Sequence, residues 1–379
     1  MARIRDIRLI PLAWRMPEVR AYGMARALTA ERGSSLLEVE TDDGVVGIGE
    51  AWGPAQATAG YLELIKGAYI GRELYDRELI WSDIICRRYH LGLQNQLTAC
   101  VSGINIAIYD AIGKTLGLPV CKLLGGLGRD RIPVYASDGY ITGDPENQLE
   151  AQLERIADKA FPAAKFKIGI NPKSDEERVR LARRILGEDM LLLVDVNGNY
   201  TVDLALDSMR RIAPYDIHFY EEPLPPQDFR GYEILCARAP IPVATGEALY
   251  TVWDFERLIA ARAVHVAQPD LTLCGGLDQA KGIALLCQLH NVRFSPHVWG
   301  SAVGLAAAVH FVAALPDYPH TDHVPAPCLI EYDVGENPLR DELLTKPLRP
   351  VNGRLVVPEA PGLGIELDPD AIKRYRVES

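Results

Sequence analysis

The chain has 379 residues, 48% of them hydrophobic, and its formal net charge is −11. A chain of this length can bury a large core and usually forms two domains, although a barrel can exceed ~200 residues as one unit. The acidic balance and the lack of a basic run argue against a nucleic-acid surface. No apolar run approaches the ~20 residues of a membrane span, so we expect neither nucleic acid nor a membrane as a partner.

Cysteine usage indicates the compartment. The seven cysteines are scattered, odd in number and never spaced as CxxC, which argues against a disulfide framework or a thiolate zinc site. The first residues, "MARIRDIRLIPLAW", lack the apolar run of a signal peptide. Both observations predict a cytoplasmic protein.

The N-terminal region combines strands and helices. The stretch "SSLLEVETDDGVVGIGEAW" alternates around Asp43 and Gly44, which is a strong hairpin signal. The segment 16–33, between the first strand and this hairpin, is polar and interrupted by glycines, and we expect a mobile loop there. Residues 57–117 have helical periodicity, and Gly117 predicts the end of the last helix.

From about residue 130, short apolar runs alternate with amphipathic helical stretches. The runs are "IPVYA", "AKFKIG", "MLLLVDVN", "IHFYEEP", "IPVATGE", "VHVAQPD" and "VRFSPHVWG". This alternation over roughly 200 residues predicts a parallel sheet, and at this length it favours a (β/α)8 barrel. A doubly wound open sheet is the alternative, but no G-x-G-x-x-G follows the first strand.

Local signals predict where some elements begin. Ser174 followed by Glu177 is typical of a capping box at the start of the helix after "AKFKIG". The helix after "VATGE" should begin near Thr251. The last segment, 337–375, returns to strand and turn composition and cannot form a core alone, so we expect it to pack on the N-terminal domain.

Polar side chains recur where the predicted strands end. They lie 23 to 28 residues apart, the length of one strand, one helix and their loops, at Lys167, Asp195, Glu221, Glu247, Asp270 and His297. Each therefore occupies the same place in successive units, at the carboxyl end of a strand. In a barrel these ends meet at one mouth, where barrel active sites lie.

Three of these residues form a candidate metal site. Asp195, Glu221 and Glu247 come from consecutive units, and three carboxylates that face one cavity need a cation. Oxygen ligands suit a hard ion, and Mg²⁺ fits best; helix capping is the alternative for each carboxylate taken singly. Adjacent strand residues face opposite ways, so only one of Glu221 and Glu222 can point inward, and the register favours Glu221. Asn197 shares the face of Asp195 and is either a substrate contact or an Asx-turn residue.

Two pairs of side chains indicate acid/base chemistry. Lys165 and Lys167 share one face of a strand, and like charges side by side cost energy unless another group needs them. Asp270 and His297 end adjacent strands and can form a dyad. In such a dyad the carboxylate fixes the imidazole tautomer and raises its basicity.

As a set, these motifs are highly specific. "KFK", "DVN", "EEP", "GE", "QPD" and "PHVWG", in this order and spacing, resemble the mandelate racemase subgroup of the enolase superfamily. "GINIAIYDAIGKTLGLPVCKLLGG" and "DDGVVGIGE" resemble that superfamily's N-terminal capping domain, so the resemblance covers essentially the whole chain. It implies an α/β fold, a modified (β/α)7β TIM-type barrel with an α+β capping domain built from both chain ends. We place the capping domain at 1–127, the barrel at 128–331 and the returning C-terminal segment at 332–379.

The resemblance also implies how a substrate carboxylate would bind. Asp195, Glu221 and Glu247 would hold Mg²⁺, which takes the carboxylate. Lys165 would neutralise its charge. Glu331, in "CLIEYD", resembles the carboxylic acid that hydrogen-bonds the substrate carboxylate in this family.

The same resemblance implies two acid/base groups on opposite faces of the substrate carbon. Lys167 would be one, with its pKa lowered by Lys165, and His297 with Asp270 would be the other. Their shared step is removal of the proton α to a carboxylate, which gives an enediolate. Dehydration of a sugar acid (an aldonate or aldarate) comes first among the outcomes, with His297 protonating the departing 3-hydroxyl. Racemisation or epimerisation of a 2-hydroxy acid and cycloisomerisation of an aldarolactone are the alternatives; "PHVWG" resembles both the acid-sugar dehydratase and the galactarolactone cycloisomerase branches.

Specificity would come from the capping loops. The candidates, for each of which ordinary surface or packing is the alternative, are Arg20, Tyr22, Arg26 and Trp52, with Trp299 lining the mouth. A catalytically silent binding or regulatory barrel is the alternative from another class, and the intact acid/base and metal positions argue against it. A metal-dependent hydrolase would favour histidine ligands and leaves the lysine pair without a role. Members of the family usually form homo-oligomers, from dimer to octamer.

Overall fold

The computed structural model describes residues 2–316 and 328–378. Within these ranges, strands β1 to β15 are, in order, Ile4–Arg15, Tyr22–Met24, Ala27–Thr29, Glu31–Thr41, Val46–Ala51, Arg131–Ser137, Ile141–Thr142, Ala163–Lys167, Leu191–Asp195, Ile217–Glu221, Val243–Thr245, Val266–Ala267, Arg293–Phe294, Ile330–Asp333 and Arg354–Val356. Helices α1 to α13 are Ala55–Tyr69, Arg77–Arg88, Gln96–Leu116, Val120–Leu124, Leu149–Ala157, Pro172–Leu186, Val202–Ile212, Phe229–Cys236, Thr251–Ala260, Gly276–His290, Ala302–Ala314, Pro338–Asp341 and Pro369–Tyr375. Short 3₁₀ helices span Glu18–Arg20, Leu74–Asp76, Tyr89–Leu91 and Ala213–Tyr215.

Eight parallel strands form the barrel. Their order is β14, β6, β8, β9, β10, β11, β12, β13, and helices α5 to α11 connect them in turn. Because the last barrel strand, β14, lies beside the first, β6, the sheet curls on itself; an open doubly wound sheet would instead reverse its strand order in the middle. Between β13 and β14, the Ser295 Oγ donates a hydrogen bond to the Leu329 carbonyl (2.7 Å). The predicted enolase-type barrel with a capping domain is confirmed, and the open-sheet alternative is wrong.

The interior of the barrel is closed by apolar side chains. These are Tyr135, Ala163, Leu193, Phe219, Ala244, Val266 and Leu329. Side chains at i and i+2 of a strand share a face, so the residues two positions further along must lie directly above this floor. On β8, β9 and β10 those residues are Lys165, Asp195 and Glu221. The two-residue period of the strands therefore places ionisable side chains directly above the apolar floor.

The capping domain is built on an antiparallel sheet with order β1, β4, β5. The hairpin predicted around Asp43 and Gly44 is present as β4 and β5. Helix α3 packs on this sheet and ends at Leu116, where Gly117 takes a left-handed φ of 67°. Both predictions are confirmed.

Segment 16–33 differs from the predicted loop. It forms the 3₁₀ helix Glu18–Arg20 and the strands β2 and β3. Strand β2 also pairs antiparallel with β7, in the loop that follows the first barrel strand. Because both strands are two or three residues long and their pairing is non-local, no periodicity in the sequence reveals them.

Two predicted helix starts have different outcomes. Helix α9 begins at Thr251, as expected. The predicted capping box at Ser174 and Glu177 is wrong, because Asn171 is the N-cap of α6 and its side chain accepts a hydrogen bond from the Ser174 N–H (3.0 Å). Pro172 occupies the first turn, where its missing N–H costs nothing.

The capping domain contacts the barrel through a buried carboxylate. Glu50 on β5 accepts hydrogen bonds from the Ser301 N–H (2.9 Å), the Ser301 hydroxyl (2.7 Å) and the Gly304 N–H (2.7 Å) at the start of α11. A carboxylate at this position accepts hydrogen bonds from N–H groups that have no partner within the helix, and it is stabilised by the positive end of the helix dipole.

The C-terminal segment contacts both parts. Strand β15 pairs antiparallel with β6 of the barrel, and the Val377 N–H donates to the Pro11 carbonyl of β1 (3.0 Å). The domain boundaries at residues 127 and 331 stay predictions. Among the helices within 2–316 and 328–378, none is long and apolar enough to span a membrane.

A buried histidine joins α11, α4 and the C-terminal segment and should make stability depend on pH. The His310 Nδ1 accepts from the Cys121 N–H (3.3 Å), and its Nε2 lies 3.0 Å from the Leu363 carbonyl. Burial lowers the pKa of His310 to about 4 from its usual 6.5. Between these values the unfolded chain binds more protons than the folded protein, so stability is complete above pH 6.5 and is lost as the pH falls toward 4.

We therefore expect the His310 term to weaken the fold by about 2 kcal/mol between pH 8 and pH 5. His310→Gln keeps one donor and one acceptor but does not titrate, so its unfolding free energy in urea should lose less over the same interval. The difference between the two proteins isolates His310 from His218 and His265, whose pKa values burial also lowers. Identical pH dependence in both proteins would contradict this role.

Candidate active site

Three carboxylates meet at the mouth of the barrel. Asp195, Glu221 and Glu247 each offer one oxygen atom, and these atoms lie within 4.8 Å of one another. Asp195 and Glu221 are the paired last residues of neighbouring parallel strands, which explains their proximity. Both are fully buried, whereas the Glu247 side chain is 21% exposed. The cluster therefore opens toward solvent on the Glu247 side.

The chemistry of these donors fits a divalent cation. Three carboxylate oxygens are the ligands that Mg²⁺ prefers, with water or substrate oxygens completing its shell. Burial raises the pKa of Glu221 to about 8 despite the attraction of Lys165, and repulsion from Asp195 acts in the same direction as burial. A bound cation would remove this repulsion.

The two lysines of β8 lie against the cluster. The Lys165 Nζ is 2.5 Å from Glu221 Oε1 and 3.0 Å from Glu331 Oε1, and the Lys167 Nζ is 2.5 Å from Asp195 Oδ2. Burial lowers the pKa of Lys167, and Lys165 lowers it too. The attraction of Asp195, Glu247 and Glu221 together outweighs both effects, so the pKa is raised overall. Lys165 thus lowers the pKa of Lys167, as predicted, but the neighbouring carboxylates make the net shift an increase.

In the strand order, an aspartate–histidine pair lies on the side of the carboxylates opposite to the two lysines. The His297 Nδ1 is 2.7 Å from Asp270 Oδ2. The other oxygen of Asp270 accepts from the backbone N–H (2.7 Å) and hydroxyl (2.6 Å) of Thr272. With Nδ1 bound in this way, the Nε2 atom faces Glu247 at 3.5 Å and Glu331 at 3.7 Å. The ring is therefore fixed with one nitrogen toward the centre of the mouth.

Neighbouring charges shift the pKa values of His297 and Glu331 in opposite directions. Burial lowers the pKa of His297, but Glu247, Asp270 and Glu331 together raise it to about 10. For Glu331 the order is reversed: burial raises the pKa, and Lys165 and His297 lower it to about 2. Glu331 is thus an ionised carboxylate between the lysine side and the histidine side of the mouth.

The sequence-based expectation that only one of Glu221 and Glu222 can point inward is wrong. The alternation ends with β10 at Glu221, and Glu222 then takes a positive φ of 41°. Its side chain is buried and accepts a hydrogen bond from Asn197 Nδ2 (3.4 Å). Burial raises the pKa of Glu222 well above its usual value, and repulsion from the neighbouring Glu247 and Asp195 raises it further.

Asn197 takes part in an Asx turn in which Asp195 supplies the accepting side chain, and its contact with a substrate stays a prediction. Its N–H closes a turn on Asp195 Oδ1 (2.9 Å), as an Asx turn requires. Its Oδ1 has no hydrogen-bond partner within the described ranges, which leaves an acceptor free at the mouth.

Two further polar side chains, which the sequence did not lead us to predict, contact the candidate site residues. Gln268 donates from Nε2 to Glu221 Oε2 (2.7 Å); it lies in "QPD", so its place two residues before Asp270 was a usable signal. Arg178 on α6 donates to the carbonyls of Lys167 (2.7 Å) and Gly139 (2.7 Å). No motif marks Arg178, because it lies on a helix among other charged residues.

The predicted specificity residues lie around the mouth. Tyr22 and Trp299 form an aromatic wall together with Tyr140, with Tyr140 ring centroids 4.8 Å from Tyr22 and 5.6 Å from Trp299. Arg32 lies over the Trp299 ring at 4.1 Å and is 2.6 Å from Asp333.

The other predicted specificity residues lie at the edge of the site. Arg20 pairs with Glu336 and lines a cavity of about 640 Å³ next to the wall. Arg26 reaches the Gly198 carbonyl. Trp52 is half-exposed, and its backbone N–H donates to the Thr272 carbonyl (3.0 Å), on the side of the histidine. Their roles toward a substrate stay predictions.

Known proteins share this sequence and fold. The model of the family described as "Enolase C-terminal domain-like" matches residues 148–371, and that of the "Mandelate racemase / muconate lactonizing enzyme, N-terminal domain" matches 10–125. A D-galactarolactone cycloisomerase of Agrobacterium fabrum is 36% identical over 91% of this chain and 92% of its own. An arabinonate dehydratase of Saccharolobus solfataricus is 30% identical over 99% and 100% of the two chains.

Solved structures agree. The 3,6-anhydro-D-galactonate cycloisomerase from Zobellia galactanivorans superimposes with a TM-score of 0.88 at 32% identity, covering 99% of this chain and 100% of that one. A racemase from Streptomyces coelicolor with bound magnesium has a TM-score of 0.86 at 26% identity, covering 99% and 100%. With both of its domains matched and its strand ends carrying the family's motifs, the chain belongs to the mandelate racemase subgroup of the enolase superfamily, and it is an enzyme.

Proposed function

We propose that this enzyme is a Mg²⁺-dependent acid-sugar dehydratase that begins by removing the proton α to the substrate carboxylate. The observation that carries the proposal is the arrangement of two proton-transfer groups, Lys167 and His297, on either side of a three-carboxylate cluster. When bound by Asp195, Glu221 and Glu247, the cation would supply Lewis-acid stabilisation of the charge that develops on the substrate carboxylate.

In the first step Lys167, in its neutral form, takes the α-proton and the C–H electron pair moves into the enediolate. Such a proton is a very weak acid, so charge stabilisation must supply most of the rate. Lys165, fully buried beside Glu221 and Glu331, supplies a fixed positive charge at this side. Burial and Lys165 both favour the neutral base once Asp195 is engaged elsewhere.

In the second step His297 gives its proton to the 3-hydroxyl group as the C–O bond breaks. The electron pair of the enediolate forms the new C–C double bond, water leaves, and the enol tautomerises to a 2-keto acid. Asp270 compensates the charge of the imidazolium and holds the ring in place. Atoms and charges balance without any further reactant.

Cycloisomerisation of a sugar lactone is the second candidate. The 36% identical relative named D-galactarolactone cycloisomerase supports it. The same α-proton removal would then be followed by departure of a ring oxygen, so the product would keep every atom of the substrate.

The proposal includes a homo-oligomer in the cytoplasm. All seven cysteines are free thiols, which suits a reducing compartment. Large apolar side chains stand exposed on α9 and α10, at Trp253, Leu285 and Leu289, and such surfaces commonly contact a second subunit.

The metal site predicts how Mg²⁺ changes stability. Mg²⁺ should raise the melting temperature of the wild type, because a ligand that binds only the folded state stabilises it. Glu221→Gln removes one ligand charge, so we expect at least a ten-fold weaker Mg²⁺ affinity by calorimetry. Asp203→Asn, at an exposed carboxylate in the first turn of α7, is the matched control and should bind Mg²⁺ as the wild type does. An equal affinity in Glu221→Gln would contradict the site.

The two acid/base groups should separate in isotope experiments. In D₂O with Mg²⁺ and a sugar-acid substrate, Lys167→Ala should lower deuterium entry at the α-carbon by about 10²- to 10⁴-fold. His297→Asn should lower the rate of 2-keto acid formation by a similar factor. Lys173→Ala, an exposed lysine nearby in sequence, serves as the control.

The outcomes distinguish the candidates. Exchange and turnover untouched in both variants would refute the two-base assignment. If no acid of a sugar-acid library loses water but a lactone gives a product of unchanged mass, the cycloisomerase is the correct reaction.

A further inference from the structure

A tyrosine of the aromatic wall carries an unused hydrogen-bond donor beside the catalytic lysine. Tyr140 is 4% exposed, and its hydroxyl has no hydrogen-bond partner within residues 2–316 and 328–378. The Lys167 Nζ lies 5.9 Å from the centre of its ring. A buried hydroxyl without a partner costs free energy, and phenylalanine would fill the same space without that cost.

The backbone of Tyr140 is fixed from two directions. The buried amide of Gln152 accepts from the Tyr140 N–H (2.7 Å) and donates to its carbonyl (3.0 Å). Arg178 holds the carbonyl of the preceding Gly139 together with that of Lys167. The hydroxyl is therefore held in a constant position relative to the proposed base, as preorganised binding groups are.

Gly139 itself allows this placement. Its φ is 66°, and a Cβ atom built on it would lie 2.3 Å from the Phe166 Cβ on β8. Only glycine lets the chain pass so close to the strand of the two lysines, which brings the following residue over the mouth.

Tyr140 lies between the charged groups of the aromatic wall and those of the barrel mouth. Besides burial, the charges that act on it come from Asp333, Arg32 and Glu331, and Glu331 contacts Lys165 and lies near His297. Tyr140 also lines the cavity of about 640 Å³. The Tyr140 ring thus lies beside Lys167, and Tyr140 lines a space large enough for the remainder of a sugar acid.

We propose that Tyr140 is a specificity-determining residue whose hydroxyl donates a hydrogen bond to an oxygen of the sugar chain, beyond the carboxylate and the 2-hydroxyl. This inference rests on the proposed function. It assigns the site to polyhydroxylated acids, because a buried donor left unpaired disfavours an analogue that lacks the matching oxygen.

The test measures binding without turnover. Dissociation constants of galactarate, D-galactonate, L-arabinonate and lactate are measured by calorimetry with Mg²⁺ in Lys167→Ala and in Lys167→Ala/Tyr140→Phe. We expect affinity for at least one sugar acid to fall about ten-fold without the hydroxyl. Lactate, which has only the carboxylate and the 2-hydroxyl, should show no difference. Tyr69→Phe, at a buried tyrosine of the capping core, is the matched control and should leave every affinity unchanged.

Stability separates this role from a structural one. A structural hydroxyl would lower the melting temperature when removed, whereas Tyr140→Phe without ligand should melt at the same temperature or higher, because it removes an unpaired buried group. Equal sugar-acid affinities with and without the hydroxyl, or an equal loss for lactate, would overturn the assignment of Tyr140 alone. A protein that binds none of the acids and exchanges no α-proton would instead refute the proposed function on which it rests.

Discussion

The contact on which the mouth of the barrel depends is the buried ion pair of Lys165 with Glu221 and Glu331. The ammonium group and both carboxylates are almost completely removed from water. Each charge alone would be very costly in that environment, and breaking such a pair by removing one partner typically costs about 3–5 kcal/mol. Lys165 therefore holds together the ends of three strands, β8, β10 and β14, at the place where the proposed chemistry occurs.

The same contact leaves negative charge at the mouth uncompensated. Around Lys165 and Lys167 stand Asp195, Glu221, Glu247 and Glu331, with the buried Glu222 beside them, so full ionisation leaves an excess of negative charge. Without further charge the site accommodates this excess through a raised pKa of Glu221 and close contacts from both lysines. A divalent ion bound by Asp195, Glu221 and Glu247, as proposed, would offset part of this excess and compete with Lys167 for Asp195. The electrostatics thus tie together metal binding and the availability of the base.

The sequence predicted those parts of the molecule that repeat. The barrel followed from the alternation of strands and helices, and the three-carboxylate cluster followed from the regular spacing of the strand ends, because neighbouring parallel strands bring their last residues together. Prediction failed where the backbone leaves the repeat. Glu222 breaks the alternation because its φ is positive, and β2 pairs with β7 across more than a hundred residues of sequence. Tyr140 and Arg178 lie outside any strand and are placed by contacts that no local pattern encodes.

The strand ends of the barrel and the loops outside it are also held in place by different kinds of contact. Lys165, Lys167, Asp195 and Glu221 are set by the main-chain hydrogen bonds of the barrel and by the apolar floor beneath them. The aromatic wall is assembled differently, since Tyr22 comes from the capping domain, Tyr140 from the loop after β6 and Trp299 from the loop after β13. The β2–β7 pairing joins the first two, and the Thr142 hydroxyl adds a hydrogen bond to the Ala21 carbonyl (2.9 Å). Because Lys167, Asp195 and Glu221 are paired through the backbone of the barrel, a side-chain change in Tyr22 or Tyr140 leaves the pairing of these strand ends in place.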